Sequence, residues 1–273
     1  MNLRLRAAVL SLCFLLLGSA VWELASRSTA PEVAADPTGL VANADQVARL
    51  PRPSEIVRFA WEQLKDPFYD RGTNDKGIGI QLAHSLGRVL TGYGLALAVA
   101  IPLGFVIGMS KLMMAALDPF IQVLRPISPL AWMPLALFVI KDSGAASIFV
   151  IFVCSLWPTL INTAFGVAGV QRDFLNVART LELSPLRTAL TVILPAAAPT
   201  ILTGMRISIG ISWLVIVAAE MLVGGTGIGY YVWNEWNNLD LNAVVFSVLC
   251  IGVVGMALDR ALALLGNWVT YEA

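Results

Sequence analysis

The sequence predicts an all-α membrane protein, a polytopic bundle of six transmembrane helices. Of the 273 residues, 58% are hydrophobic and only 13% are charged, whereas soluble domains carry about 25% charged residues. Apolar runs long enough to cross about 30 Å of hydrocarbon recur along the chain. They cover residues 7–25, 82–108, 119–140, 145–168, 197–223 and 243–265.

These runs divide the chain into three parts. Residues 1–25 form an N-terminal transmembrane helix, although Arg4, Arg6 and the small residues at 18–20 are also compatible with a signal peptide. The run continues past those small residues to an interfacial Trp22, which favours a retained helix. Residues 26–81 lie outside the membrane, and 82–273 form a core of five transmembrane helices with an extramembrane loop at 169–195.

The positions of lysines and arginines in short loops predict the orientation. Lys111 follows the second run, and Arg172, Arg179 and Arg187 follow the fourth. If the spans alternate, these loops and the N-terminal arginines share one side, which the positive-inside rule makes cytoplasmic. Lys141 is an exception and is next to Asp142. We therefore expect a bacterial inner-membrane protein with both termini in the cytoplasm and segment 26–81 in the periplasm.

The segment 26–81 contains one predicted amphipathic helix, in "LPRPSEIVRFAWEQL". Ser54 is the expected N-cap, and Ile56, Phe59, Ala60 and Leu64 repeat at helical spacing on one face. We expect this helix to lie flat at the outer membrane surface. Further along, the glycines of "GGTGIG" at 224–229 predict a tight turn.

The loop at 169–195 is amphipathic and charged, in contrast to the runs on either side. Asp173 is the expected helix N-cap, and Phe174, Val177/Ala178 and Leu181 form an apolar stripe. Ser184-Pro185 predicts a fresh helix start, and Pro195 and Pro199 are expected to break the chain before the fifth span. From these residues alone, the loop could equally lie on the membrane surface.

The stretch "NVARTLELSPLRTALTVILP" resembles the cytoplasmic loop of ABC importer permeases of type I, which depend on a solute-binding protein. That family's pattern is Glu-Ala-Ala, three residues, Gly, nine residues, Ile, one residue, Leu-Pro. Ala178, Leu194 and Pro195 match it, and Val192 occupies the Ile position. Asn176, Val177 and Glu182 replace the Glu, the first Ala and the Gly.

Other stretches extend the resemblance over nearly the whole chain. "RPISPLAWMPLALFVIKDSGAASIFVIFVCSLWPTLINTAFGV" and "WLVIVAAEMLVGGTGIGYYVWNEWNN" are most similar to the nitrate, nitrite, cyanate and bicarbonate branch, which is related to sulfonate and taurine permeases. The resemblance implies a type I permease fold and a helix that docks on an ATPase. The docking residues would be Phe174, Leu175, Asn176, Val177, Ala178, Arg179, Thr180, Leu181 and Glu182.

The same resemblance implies the partners. These are a second copy of the chain, two ATP-binding subunits that are identical or different, and a periplasmic or lipid-anchored solute-binding protein. ATP and Mg would be bound by the ATPase subunits, and this chain would hold no cofactor. The expected cargo is a small inorganic anion, above all nitrate or nitrite, with a sulfonate, taurine, cyanate or bicarbonate as alternatives.

Ionisable residues at membrane depth are functional candidates, because each is costly without a partner or water. Arg125 and Arg206 are expected in the cytoplasmic half of the third and fifth spans, where they could favour an anion in transit. Snorkelling of Arg125 to headgroups, or pairing with a carbonyl freed by a nearby proline, is the alternative. Arg88 and Glu220 have matching depths near the other face, so they are expected to form an ion pair, as a structural contact or as a gate.

The sequence offers no catalytic constellation and no metal cluster. A lone His84 cannot build a metal site, and "GGTGIG" lacks the Gly-Lys-Ser/Thr that would make a phosphate-binding loop. A zero net charge gives no basic footprint for nucleic acid. A channel or secondary transporter working without ATP remains the first alternative function, and a membrane-embedded enzyme the second.

Overall fold

The computed structural model describes residues 3–28, 50–72 and 74–269, nearly all of them helical. We number the helices of this part of the chain in order. They are α1 (Leu3–Ser28), α2 (Pro53–Lys65), α3 (Ile78–Met109), α4 (Lys111–Leu124), α5 (Pro129–Ile140), α6 (Ser143–Ala168), α7 (Arg172–Thr180), α8 (Pro185–Val223), α9 (Ile228–Asn237) and α10 (Leu241–Val269).

Five of these helices are long and apolar enough to cross a membrane, namely α1, α3, α6, α8 and α10. A sixth crossing exists if α4 and α5 count as one span, and the two are bent by 91° at their junction. The third apolar run, 119–140, is therefore not one straight helix: it begins within α4 and continues through the bend into α5. The cause is local: Pro129 disfavours a helical residue before it, and Ser128 is accordingly extended at φ −57° and ψ 136°.

The chain folds as two units. The first comprises residues 1–80 and 231–250, and the second comprises 81–230 and 251–273. In the first unit, the hydroxyl of Ser54 lies 3.2 Å from a carboxylate oxygen of Glu23 and links α2 to α1. The rings of Phe59 and Phe246 meet edge to face at 5.7 Å.

The predicted helix after residue 50 is confirmed as α2, but its start and its apolar face differ from the prediction. The N-cap is Arg52, because Pro53 takes the first helical position, which suits its fixed φ. Glu55 accepts a hydrogen bond from the Arg52 N–H at 3.1 Å. Ile56 is buried, whereas Leu64 is exposed, so Leu64 does not belong to the face that packs on the protein.

In the second unit, α6 and α8 pack on each other through small and hydroxyl side chains. The hydroxyls of Ser155 and Ser212 are 2.5 Å apart, and Ser208 donates to the Ser155 carbonyl. A Cβ at Gly204 would lie 2.6 Å from the Cβ of Asn162, so only glycine allows this approach. Small residues with interhelical hydrogen bonds are the usual means of packing helices in a bilayer.

Glycines on α3 serve the same purpose against α6. A Cβ at Gly104 would lie 2.6 Å from the Thr163 Cβ, and one at Gly108 would lie 2.6 Å from the Ala164 carbonyl oxygen. Gly94, on the same helix, has no such neighbour within 4 Å. The close approach of α3 to α6 therefore requires glycine at Gly104 and Gly108 but not at Gly94.

The fifth span begins earlier than predicted and has no break at its prolines. The chain is helical from Pro185 to Val223, with one π-helical stretch at Ala189–Ile193. There the Leu194 N–H donates to the Ala189 carbonyl, five residues back. Local π geometry re-pairs the backbone groups that a proline leaves free. Pro195 and Pro199 therefore lie inside α8, and the predicted interruption before this span is wrong.

We expect Gly104→Ala to lower the free energy of unfolding by about 1–3 kcal/mol, because the added methyl group overpacks the contact between α3 and α6. Gly94→Ala is the matched control and should be neutral or raise stability by up to about 1 kcal/mol through helix propensity. Thermal unfolding of the purified protein in detergent measures both. Equal effects of the two substitutions would contradict this account of the packing.

Candidate functional site

Helix α7 presents an apolar stripe away from the protein. Phe174, Val177 and Leu181 follow one another at helical spacing, and their side chains are 51%, 58% and 64% exposed. The first turns of α8 add Leu186 and Leu190, which are also exposed. We call these five residues the exposed apolar patch. It lies on the short segment between two spans, where an apolar surface is unusual unless something covers it.

The opposite side of α7 packs onto the bundle. Ala178 is only 2% exposed, and Leu175 packs on a buried cluster that joins α6 to α8. That cluster consists of Val167, Ile193, Ala197 and Ile201. The residues of the predicted apolar stripe therefore face in two directions. Ala178 is buried against the protein, whereas Phe174, Val177 and Leu181 are exposed.

The ends of α7 are formed differently from the prediction. The N-cap is Gln171. Asp173 lies in the first turn, where the positive end of the helix dipole stabilises its carboxylate. At the other end, the Leu183 N–H donates to the Ala178 carbonyl at 3.1 Å, and the Glu182 N–H donates to the Arg179 carbonyl at 3.0 Å. This is a Schellman turn, which needs a left-handed residue. Glu182 supplies that residue with φ 50°.

Glu220 and Arg88 form an ion pair inside the second unit, as their matching depths predict. Their side chains are 1% and 19% exposed and meet at 2.7 Å. The carboxylate also accepts hydrogen bonds from the Ser85 hydroxyl at 2.7 Å and from the Gly229 N–H at 3.1 Å. A buried carboxylate is tolerated when its oxygens are satisfied in this way, so Glu220 is held rigidly.

The same polar group binds the glycine-rich turn after α8. Arg88 donates to the Thr226 carbonyl, the Gly227 N–H donates to Gln81, and the Ile228 N–H donates to Ser85, at 2.7, 2.7 and 2.8 Å. A Cβ at Gly227 would collide with the Glu220 carboxylate. The predicted tight turn is confirmed, with φ 78° and 97° at Gly224 and Gly225, and its function is to cap the buried charge.

Arg206 has a partner that the sequence analysis missed. Its guanidinium binds the carboxylate of Asp259 on α10, with contacts of 2.9, 3.0 and 3.2 Å. Asp259 is visible as a single acid within the run 243–265. Its separation from Arg206 in the sequence concealed the pairing. The net charge of the pair is zero, and both side chains are about half exposed.

Arg125 is the C-cap of α4, at the 91° bend that leads into α5. Its side chain lines two cavities within the second unit, of about 580 Å³ and 250 Å³. Four candidate residues thus fall into three places: Arg88 joins Glu220, Arg206 joins Asp259, and Arg125 lies apart from both pairs. Within the described ranges, no group of three or more His, Cys, Asp or Glu side chains could hold a metal ion.

The polar residues around Glu220 had a signal in the sequence. Gln81, Ser85 and Arg88 are spaced four and three residues apart, which places them on one face of α3. Three polar side chains on one face of a membrane helix indicate a buried partner, because lipid cannot satisfy them. Arg88 was identified from its charge alone, and Gln81 and Ser85 were missed because each is uncharged.

The helix arrangement is that of ABC importer permeases of type I. It is similar to a chain of the inward-facing MetNI methionine ABC transporter, with a TM-score of 0.62, 14% identity, and coverage of 70% of this chain and 95% of that one. An amino acid ABC transporter crystallised with histidines gives a TM-score of 0.57 at 12% identity, covering 78% of this chain and 97% of that one.

The sequence matches a family described as binding-protein-dependent transport system inner membrane component, over residues 100–271. The chain belongs to this family, so it is a multi-pass protein of the inner membrane. It is 45% identical over 222 residues to the nitrate import permease protein NrtB of Synechocystis sp., with 81% of both chains covered. It is 43% identical to the bicarbonate transport system permease protein CmpB of Synechococcus elongatus, again over 81% of both.

Replacing Arg88 by Met should lower the free energy of unfolding by about 3–5 kcal/mol, because a buried carboxylate loses its counter-charge. The double substitution Arg88→Met with Glu220→Gln should recover part of that loss. A double-mutant cycle of thermal unfolding in detergent measures the coupling. Strictly additive effects would show that the two side chains do not stabilise each other.

Replacing Glu182 by Gly should stabilise the protein by about 1 kcal/mol, because a left-handed conformation strains any residue that has a Cβ. Glu182→Val should have the opposite effect, since a branched Cβ makes that conformation still more costly. Thermal unfolding, together with limited proteolysis between α7 and α8, follows both variants. A destabilised Gly variant would mean that the Glu182 side chain, not the turn, matters here.

Proposed function

We propose that this chain is the permease subunit of an ATP-driven ABC importer that carries nitrate into the cytoplasm. The main support for this proposal is the exposed apolar patch on α7 and the start of α8. The sequence has no phosphate-binding loop, so ATP-driven transport would take its energy from another subunit. A seated helix with an apolar outer stripe is a suitable contact for such a subunit, as helix-in-groove recognition requires.

The proposed complex contains two copies of this chain, two ATP-binding subunits and a solute-binding protein on the opposite side of the membrane. ATP and Mg are bound by the ATP-binding subunits. The family's description and the likeness to MetNI support this composition. ATP-driven closure of the ATPases moves α7. Helices α6 and α8 then follow, because Leu175 of α7 packs on the cluster between them.

The proposed orientation puts α7 and both chain termini in the cytoplasm. Lys111 begins α4 on one short connection, and Arg172, Arg179 and Arg187 lie on the connection between α6 and α8. All four have exposed side chains, as positive-inside residues in cytoplasmic loops do. The glycine-rich turn at 224–229 and the helix α2 then lie on the periplasmic side.

Nitrate is the proposed cargo because three relatives named as nitrate import permeases are 42–46% identical to this chain. Bicarbonate is the second candidate, since the bicarbonate permeases reach 43% over the same share of the chain. Both are planar monoanions with three oxygens, so a cationic site suits either. The choice between them depends on details of size and hydration, and it is tested by competition.

We expect Phe174→Asp to prevent the ATP-binding subunits from co-purifying with this chain, because a charge on the exposed apolar patch would have to be desolvated on docking. The matched control is Gln171→Asp, which adds the same charge one turn earlier at the N-cap, where Asp is favoured. Ala178 is unsuitable for this test, since a charge there would unseat α7. Retention of the ATPases by Phe174→Asp would contradict the docking role.

The transport reaction itself is tested with the assembled complex in proteoliposomes. Wild-type complex should accumulate labelled nitrate only with ATP and the binding protein, and excess bicarbonate should leave that uptake unchanged. Uptake without ATP would indicate a channel or secondary transporter. Uptake of labelled bicarbonate with no nitrate uptake would assign the second candidate cargo.

A further inference from the structure

The bend between α4 and α5 places Arg125 in the common wall of two cavities. The larger, of about 580 Å³, is lined by residues of α3, α4 and α6, with Asp118 and Gln122 among them. The smaller, of about 250 Å³, lies between the bend, α6 and α8. Both consist entirely of residues from the second unit, and Arg125 is the one charged residue that they share.

The two cavities differ in charge. Asp118 gives the larger one a carboxylate, which accepts a hydrogen bond from Gln122 at 2.6 Å. Around the smaller cavity, the lining residues include Arg125 and no acid. Its other polar side chains include the amide of Asn162, whose Nδ2 donates one hydrogen bond to the Pro158 carbonyl at 2.8 Å and has a second N–H to offer. The indoles of Trp132 and Trp157 can also donate through their N–H groups. The smaller cavity therefore favours a negative charge.

Arg125 differs from Arg88 and Arg206, the two other arginine candidates for the pathway. Arg88 is bound to Glu220, and Arg206 is bound to Asp259. Among the described residues, no salt bridge within 4.0 Å involves Arg125. The Arg125 side chain is exposed, and an anion that enters the smaller cavity would supply the counter-charge that a cation beside an apolar lining lacks.

We propose that the smaller cavity is a transient binding site for a small monoanion, with the guanidinium of Arg125 as its charged donor and the amide of Asn162 as a neutral one. This inference rests on the proposed function, and it identifies residues that would contact the cargo during transport. A planar guanidinium can donate two parallel hydrogen bonds to a planar oxyanion. The apolar remainder of the lining, such as Ile207 and Ile211, excludes strongly hydrated ions.

One arginine without a second cation suits a site through which cargo passes. Conduction needs binding that is favourable enough for entry and weak enough for release. The paired Arg206 was an equal candidate from the sequence, but Asp259 cancels its charge. Arg125 has no salt bridge with a described residue and lines an open space, so it is the better ligand for an anion.

The test compares Arg125→Met, Arg125→Lys and Asn162→Ala in the assembled complex, reconstituted with its binding protein. Uptake of 15N-labelled nitrate is measured over a range of concentrations, and ATP hydrolysis is measured in parallel. Arg125→Met should reduce uptake at low nitrate at least about tenfold, the effect expected for a lost hydrogen bond to a charged group. Arg125→Lys should restore much of it, and Asn162→Ala should cause a smaller loss.

Wild-type uptake serves as the reference that separates this inference from the proposed function. If wild-type complex carries no nitrate, the proposed function fails. If wild type carries nitrate and Arg125→Met does so equally well, the anion site is wrong, and Arg125 binds lipid headgroups instead. Loss of ATP hydrolysis or of assembly in both Arg125 variants would also overturn it, because the role would then be structural. Arg58→Gln, at an exposed position on α2, is the control for loss of a positive charge.

Discussion

The close contact between α6 and α8 is the constraint on which the rest of the second unit depends. Lipid offers no hydrophobic drive for helix association, so the helices must meet through small residues and interhelical hydrogen bonds. Ser155, Ser208 and Ser212 supply those bonds, and Gly204 supplies the space. The seat of α7, the smaller cavity and the start of the glycine-rich turn all use residues of this helix pair, so their positions are fixed together.

Two arginines on the long helices, Arg88 and Arg206, are compensated by ion pairs. Glu220 is enclosed by an arginine, a hydroxyl and a backbone N–H, and this enclosure also fixes the turn after α8. Arg206 has a bidentate partner on α10. The first arrangement stiffens one end of the bundle and the second links α8 to α10. Arg125 lines open space and, unlike Arg88 and Arg206, has no salt bridge with a described residue, and this difference supports a functional role for it.

The connection from α6 to α8 forms a left-handed turn without a glycine at the turn position. The family pattern has a glycine where this chain has Glu182, and the left-handed turn forms nevertheless, at some cost in backbone strain. The two hydrogen bonds of the turn and the burial of Ala178 hold Glu182 in this left-handed conformation. The adjacent π-helical turn re-pairs the backbone next to Pro195, so α8 continues from Pro185 to Val223.

Much of this protein was determined by its sequence alone. The apolar runs placed α1, α3, α6, α8 and α10, because a helix is the only open-chain structure that satisfies its own backbone in lipid. The amphipathic spacing placed α7, and the depth of two charges predicted the Arg88–Glu220 pair. Those features depend on local periodicity, or on position along a span, which a sequence carries directly.

Tertiary structure alone decided the remaining features. The 91° bend before Pro129, the continuity of α8 through Pro195, and the partner of Arg206 each depend on contacts or backbone geometry that residue type does not fix. A proline can end a helix or lie within one, according to whether neighbouring carbonyls find other donors. Likewise, two charges far apart in sequence pair only when packing brings their helices together. The division of the apolar stripe, with Ala178 inward and Phe174 outward, was set by the cluster on which α7 rests.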